Sequence, residues 1–226
     1  MRPVDKGTPT TIYTNYGKAR HDLANRIGYY CSYCEMKVRN SIEVEHILPI
    51  HQGGNPVDWK NFLLSCKYCN TINSEHNDNL EDYLWPDRDN TDLAFSYKEG
   101  KAVCPNPTTN ASIQRLAENA IRLMGLNRYP DGDHEPTKAD TRWKSRKEAW
   151  DLAYRSYSNW KAAPIPPMAD QVAIASLNGH YSIWTAVFRE EPVVLEAIDT
   201  LYTKRCHLYN KLDDNGHRVL RKGGKL

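Results

Sequence analysis

With 226 residues, 40% of them hydrophobic and 26% charged, the chain is long enough for one full domain, or for a small domain with a helical annex. A mean hydropathy of −0.73, and no apolar run near the roughly 18 residues of a membrane span, exclude an integral helical membrane protein; the opening Met1-Arg-Pro-Val-Asp-Lys6 carries no apolar signal region, so a cytoplasmic protein is expected. A net charge of +2 is too balanced for a surface that engages nucleic acid all over, so any such contact must be local.

In chain order, residues 1–10 hold Pro3, Gly7 and Pro9 and read as an extended arm. Tyr13 to Ile27 reads as a helix with Tyr16, Ala19, Leu23 and Ile27 on one face and Gly28 as its stop. Ile42 to Ile47 alternates and is rich in β-branched residues, which predicts a strand. Pro49 to Pro56 holds Gly53 and Gly54 and reads as a loop, followed by a second short strand over Asn61 to Ser65. A helix is expected from Cys69 through Ser74, and a hairpin over 93–97 and 101–104. Thr109 or Asn110 caps a helix that Gly125 closes, with Ile113, Leu116, Ala117, Ala120, Leu123 and Met124 on one face. A long helix is predicted from about Lys138 to Ala162, broken by Pro164-Ile-Pro-Pro167. Two or three shorter helices follow, the last near Val193 to Tyr209, and the basic tail from Arg218 is expected to fray. There is no internal repeat. The fold class is α+β: a mixed module over residues 1–105 with an α-helical region over 106–226.

The chemistry concentrates in residues 31–70. Cys31/Cys34 and Cys66/Cys69 form two Cys-x-x-Cys pairs, and each such turn puts two sulfurs on one side of a tight knuckle. Two knuckles complete a tetrahedron for a structural zinc, so metal removal is expected to unravel the module. The remaining cysteines, Cys104 and Cys206, stand alone and read as buried thiols. Glu45 and His46 end the first predicted strand, where alternation turns adjacent side chains to opposite faces. Imidazole suits general-base work near neutrality and a carboxylate suits a hard cation. Asn70 follows the last cysteine of the second pair, and its amide oxygen is a candidate second ligand for such a cation. Asn61 is suited to tying a loop or the histidine in place through backbone hydrogen bonds.

Cys-x-x-Cys, Val44-Glu-His-Ile-Leu-Pro49, Gly53-Gly54, Asn61 and Cys-x-x-Cys-Asn70 together resemble the HNH endonuclease family with its ββα-metal fold, over residues 31–73. The resemblance implies a zinc-stapled ββα-metal nuclease module. In it, His46 is the general base that takes a proton from water, Asn61 supports it, and Glu45 and Asn70 hold a catalytic Mg²⁺ or Mn²⁺. Hydrolysis of a phosphodiester, DNA being the expected substrate, then leaves 5′-phosphate and 3′-hydroxyl ends. Two features depart from the family pattern: Glu45 stands where Asp is usual, and Asn73-Ser74 where a lysine is common. Asn73, His51 and His76 are possible auxiliary residues of the site.

Lys37, Arg39, Lys60 and Lys67 lie near the motif and are candidate phosphate contacts. In the long helix Lys138, Arg142, Lys144, Arg146 and Lys147 cluster, and Trp143, Trp150, Tyr154 and Tyr157 share a face that reads as core or protein interface, or as a base-stacking stripe. The layout resembles the HNH nuclease subunit of Septu-type anti-phage systems, which implies an ABC-like ATPase partner docked on the helical half; the chain has no Walker motif of its own. The alternatives are a non-catalytic zinc-knuckle module that binds nucleic acid or protein, and a stand-alone restriction-type nuclease.

Overall fold

The computed structural model describes residues 1–73, 79–206, 208–209, 211–212 and 218–226, with the backbone alone at Asn73, Lys211, Leu212 and Arg218. The predicted hairpin is present: β1 (Glu43–His46) pairs antiparallel with β2 (Phe62–Ser65), Glu43 opposite Ser65 and His46 opposite Phe62. Helix α2 (Lys67–Asn73) starts directly after β2, so Cys66 sits at the joint and Cys69 in the first turn. The loop between the strands depends on Gly54: a Cβ there would lie 1.9 Å from the Leu48 carbonyl oxygen, so only glycine fits against this backbone. The second predicted hairpin forms from β3 (Phe95–Ser96) and β4 (Cys104–Pro105). Cys104 in it is exposed, contrary to expectation, because a strand this short at the surface has no layer above it; Cys206 is buried.

Helix α1 (Ala19–Ile27) is shorter than predicted. Asn15 caps a 3-10 turn before it by accepting from the Gly17 amide, and Gly28 ends it at φ +76°. Its buried face is Ala19, Leu23, Ala24 and Ile27; Tyr16 lies outside that face and is exposed. The N-terminal arm is packed rather than loose. Met1, Arg2, Val4 and Lys6 are buried. The Lys6 ammonium donates to the Lys60 and Phe62 carbonyls at 2.9 and 2.8 Å and pairs with Asp87 at 2.6 Å, which straps the arm to β2. Arg2 donates to the Ile27 carbonyl and the Cys206 sulfur, and lies over the rings of Tyr30 and Tyr202.

The helical region begins with α3 (Ala111–Met124), capped by Asn110, whose side chain accepts from the Ile113 amide, and closed by Gly125 in the left-handed conformation. Helix α4 (Arg142–Ala162) starts four residues later than predicted because Asp140 and Thr141 form a turn bonded to its first residues. Its inward face differs from the predicted one. Arg142, Arg146, Ala153 and Trp160 are buried, whereas the aromatic stripe lies at the boundary, with Tyr154 60% exposed. Arg146 donates to the Lys101 and Arg128 carbonyls, so both arginines serve the interior instead of a basic surface. Helices α5 (Pro166–Ser176), α6 (Tyr181–Val187) and α7 (Pro192–Arg205) complete the region.

A contiguous buried core runs from Leu23, Ile27 and Phe62 to Trp184, Phe188 and Tyr202, across both predicted halves. Glu35, directly after Cys34, joins them. Its carboxylate accepts from the Arg2 and Ser182 amides at 2.9 and 2.8 Å, and its carbonyl from the His180 amide at 3.0 Å. The tail is tied down as well. Arg221 stacks on Tyr209 at 4.2 Å and donates to the Val4 carbonyl, and the Lys225 amide bonds Asp89. The residues between β5 (Lys211–Leu212) and β6 (Arg218–Val219) lie outside the described residues.

His180 is fully buried at the start of α6, with Nε2 bonded to the Ser145 hydroxyl at 2.8 Å. Burial, with Arg146 adding to it against the pull of Glu35, lowers its pKa to about 4. The unfolded chain therefore binds a proton that the folded chain does not between roughly pH 6.5 and 4, and stability falls with pH across that window. From pH 7 to 4 this group contributes a loss of about 3 kcal/mol. Urea melts across that range should show the pH slope reduced in His180→Gln; an unchanged slope would place the acid sensitivity elsewhere.

Candidate metal centre and active site

The four cysteine sulfurs lie within 4.8 Å of one another and all four residues are buried. Cys34 and Cys66 place their sulfurs 3.8 Å apart. A tetrahedron with Zn–S bonds of about 2.3 Å has edges of about 3.8 Å, so the arrangement fits zinc. Hydrogen bonding to Cys31 and Cys66, together with burial, pushes the Cys34 and Cys69 thiols well up, so four thiolates can coexist here only around a cation. The donor set is closed, with no position for substrate, which is the mark of a structural site.

A tetrathiolate zinc carries two net negative charges, and a buried arginine from the helical region faces them. Arg142 Nη1 donates to Cys69 Sγ at 3.1 Å and to the Met124 carbonyl at 2.7 Å. Its Nε and Nη2 each reach Asp140 at 2.8 Å in a bidentate pair, and the guanidinium covers the Tyr68 ring at 4.5 Å. Despite burial, the bonds to Asp140 and the neighbouring sulfurs raise the Arg142 pKa, so it stays charged. No local sequence signal marks this residue, since the contact spans 73 positions.

Strand alternation sets the other side chains. Glu43 and Glu45 share one face of β1, and Val44 and His46 the other. Glu45 is 2% exposed and accepts from the Tyr33 hydroxyl at 2.9 Å. Burial pushes its carboxyl well above the usual range, an effect the Tyr33 bond offsets only in part. The carboxylate that meets Asn70 is Glu43 instead: Asn70 Nδ2 donates to Glu43 Oε2 at 2.7 Å, and both residues are half-buried. The structure thus does not pair Glu45 with Asn70 as the motif implied. The period of two along the strand could have identified Glu43, which stands one step behind Glu45 on the same face.

His46 is half-buried between two rings, edge-on to Tyr16 at 5.0 Å and to its cross-strand partner Phe62 at 5.3 Å. Its Nε2 lies 3.2 Å from the Pro56 carbonyl. A carbonyl can only accept, so Nε2 is the donor in this contact. Asn61 holds the loop that carries Pro56. Its Oδ1 accepts from the Leu48 amide at 2.7 Å, and its Nδ2 donates to the Leu48 and Asn55 carbonyls at 2.9 and 3.3 Å. One buried amide therefore closes the 48–55 turn and sets the carbonyl that orients the imidazole. His51 is exposed on the 3-10 turn of that loop. His76 and the side chain of Asn73 lie outside the described residues.

Of the four candidate phosphate contacts, Arg39, Lys60 and Lys67 are exposed. Lys37 is half-buried and its ammonium donates to the Leu177 carbonyl at 2.7 Å, a bond that docks the helical region on the first knuckle. Among the described residues the tetrathiolate is the one group of three or more His, Cys, Asp or Glu side chains close enough to share an ion.

Replacing Arg142 by Met leaves buried Asp140 with Arg128 at 3.9 Å as its cationic partner, and the thiolates without the guanidinium that faces them. Zinc transfer to a chelator should accelerate by about 10–100-fold. Arg142→Lys, which keeps the charge and loses the fork, should fall between the two. Equal release rates in all three proteins would show that the contact is incidental.

A search among curated proteins found no matching relative. The family model of HNH endonucleases matches residues 31–76. The stretch that carries both cysteine pairs, the β1–β2 hairpin, His46, Asn61 and Asn70 is therefore a domain of the HNH endonuclease type.

Proposed function

We propose that the chain is a metal-dependent endonuclease that hydrolyses phosphodiester bonds of nucleic acid, DNA by preference, with His46 as general base. The observation that carries the reading is the tie from Asn61 through the 48–56 loop to His46 Nε2, which fixes the orientation of a half-buried imidazole. Nδ1 then takes the proton of the attacking water, and Pro56 keeps the ring from turning.

Glu43 and Asn70 would hold a Mg²⁺ or Mn²⁺ ion, since they offer oxygen donors of the kind these ions take. Glu45 is buried and accepts from the Tyr33 hydroxyl, and Glu43 is the carboxylate bonded to Asn70. When bound, the cation stabilises negative charge on the phosphoryl and leaving oxygens.

Within this reading, the nuclease core near residue 30 and the helical C-terminal half support a place as effector in an anti-phage system of the Septu type. The helical half is then the docking surface for an ABC-like ATPase, which supplies the ATP control that a chain without a Walker motif cannot. A second reading, a non-catalytic zinc-knuckle module, has one observation behind it: the carboxylate at the family's cation position is buried.

Plasmid nicking with Mg²⁺ or Mn²⁺, against an EDTA control, separates the two. His46→Ala should lower the rate by about 100-fold or more with zinc content and fold unchanged. Glu43→Gln should raise the Mn²⁺ concentration for half-maximal rate by roughly tenfold, and Glu45→Gln should leave it nearly unchanged. Full cleavage by His46→Ala would remove the base assignment. A zinc-loaded wild type that binds DNA and never nicks it would establish the binding module.

A further inference from the structure

A second cationic feature lies away from His46. A cleft of about 580 Å³ opens between the C-terminal end of α1, the first zinc knuckle and helices α5 and α7. Lys37, Arg39 and Arg205 line it together with Asn25 and Tyr29, and no carboxylate does. Arg39 and Arg205 are exposed, and neither makes an ion pair with a described residue. Lys37 is held at the floor by the Leu177 carbonyl and the Tyr30 ring, 5.8 Å from its ammonium. Burial lowers its pKa, and the nearby Arg39 and Arg205 lower it further. Three cations that repel one another around a concave, anchored floor gain most from a bound anion. Two arginines offer planar donor forks that match phosphate oxygens bidentately. Tyr29, 38% exposed, presents a ring at the same rim.

Helix α1 links this cleft to His46. Gly28, at its end, lines the cleft, and Tyr16, just before its start, touches the imidazole. At 1.5 Å per residue the two ends are roughly 18 Å apart, the length of about five base pairs. Between them Lys18, His21 and Asn25 are exposed and spaced at three and four residues, which puts them on one face. Asp22 accepts from Tyr13 and Thr10 through Oδ2, and its Oδ1 lies 3.9 Å from His21 Nδ1 at the edge of this face.

We propose that the cleft of Lys37, Arg39 and Arg205 binds the sugar–phosphate backbone of nucleic acid and directs it along α1 to His46. The direction toward His46 rests on the nuclease reading; the backbone binding does not. The test is fluorescence anisotropy with labelled single-stranded and duplex oligonucleotides, on the zinc-loaded full chain without added Mg²⁺ or Mn²⁺. Arg39→Ala/Arg205→Ala removes two exposed cations, so zinc content and circular dichroism should stay as in the wild type. Affinity should fall at least tenfold for every sequence tried, and the slope of log K against log salt should shrink by roughly 1.8 units for duplex or 1.4 for single strands. Arg189→Ala, an exposed arginine on the loop before α7, should change neither.

Unchanged affinity and slope in the double variant overturn the proposal, and the cleft then serves another anion, such as an acidic protein surface. A wild type that inorganic phosphate stabilises through these arginines but that binds no oligonucleotide overturns it too. Cleavage is scored separately. Lost binding in the double variant with an inactive wild type keeps the cleft and removes the nuclease; an active wild type with unchanged binding in the double variant does the reverse.

Discussion

Four thiolates held within 4.8 Å of one another in a buried place are the constraint on which the rest of this molecule depends. They need a cation at the centre and positive charge around it, because a buried net charge is costly unless paired. The cation is supplied by zinc chemistry. The surrounding charge comes from Arg142, on a helix that starts 73 residues after Cys69. Arg142 in turn needs Asp140 and the carbonyls at the end of α3, so one electrostatic requirement fixes where α2, α3 and α4 meet. The helical region is built into the metal centre rather than appended to it.

The residue after each knuckle carries this order outward in a different direction. Glu35 follows Cys34 and turns inward at φ +62°, where its carboxylate collects the amides of Arg2 and Ser182. Asn70 follows Cys69 and turns to the β1 face, where it meets Glu43. The same pairs of cysteines thus anchor the chain's remote packing on one side and the candidate cation site on the other. His46 lies on the opposite strand face, yet it is the last residue of β1, and the chain bends at Ile47 into the loop held by Asn61. The imidazole therefore owes its orientation to the loop and the Tyr16 ring, and not to the zinc. Loss of metal and loss of Asn61 should disturb the site by separate routes.

What could be read from the sequence was local. The two Cys-x-x-Cys turns, the alternation over Glu43 to His46, the glycine pair in the loop, and the Asn110 and Gly125 caps each declare themselves within a few residues, and each is found in place. What was not legible shares a cause. The bond from Tyr33 to Glu45 and the contact of Asn70 with Glu43 join separate elements. The arm and the tail look free in sequence, yet Lys6 finds Asp87 and Arg221 finds Val4, pairings that link positions 81 and 217 apart. Arg142 and Arg146 look like part of a basic surface because arginine is usually outside. Only the tertiary fold reveals that carbonyls and a thiolate lie beneath them.

This placement bears on how the helical half can affect the candidate site. Arg142 is one bond from the sulfur of Cys69, and Asn70 is the next residue along α2. Lys37 bonds the Leu177 carbonyl at the end of α5, and Lys37 is in the turn that completes the first knuckle, where Cys31 accepts from Glu35 and donates to the Met36 carbonyl. A force on α4 or α5 thus reaches a cysteine through one side chain, without passing through the hydrophobic core. His46, supported by Asn61 and Pro56, is not on either path. A displacement of α4 would reach Asn70 before His46, because the two side chains are held by different contacts.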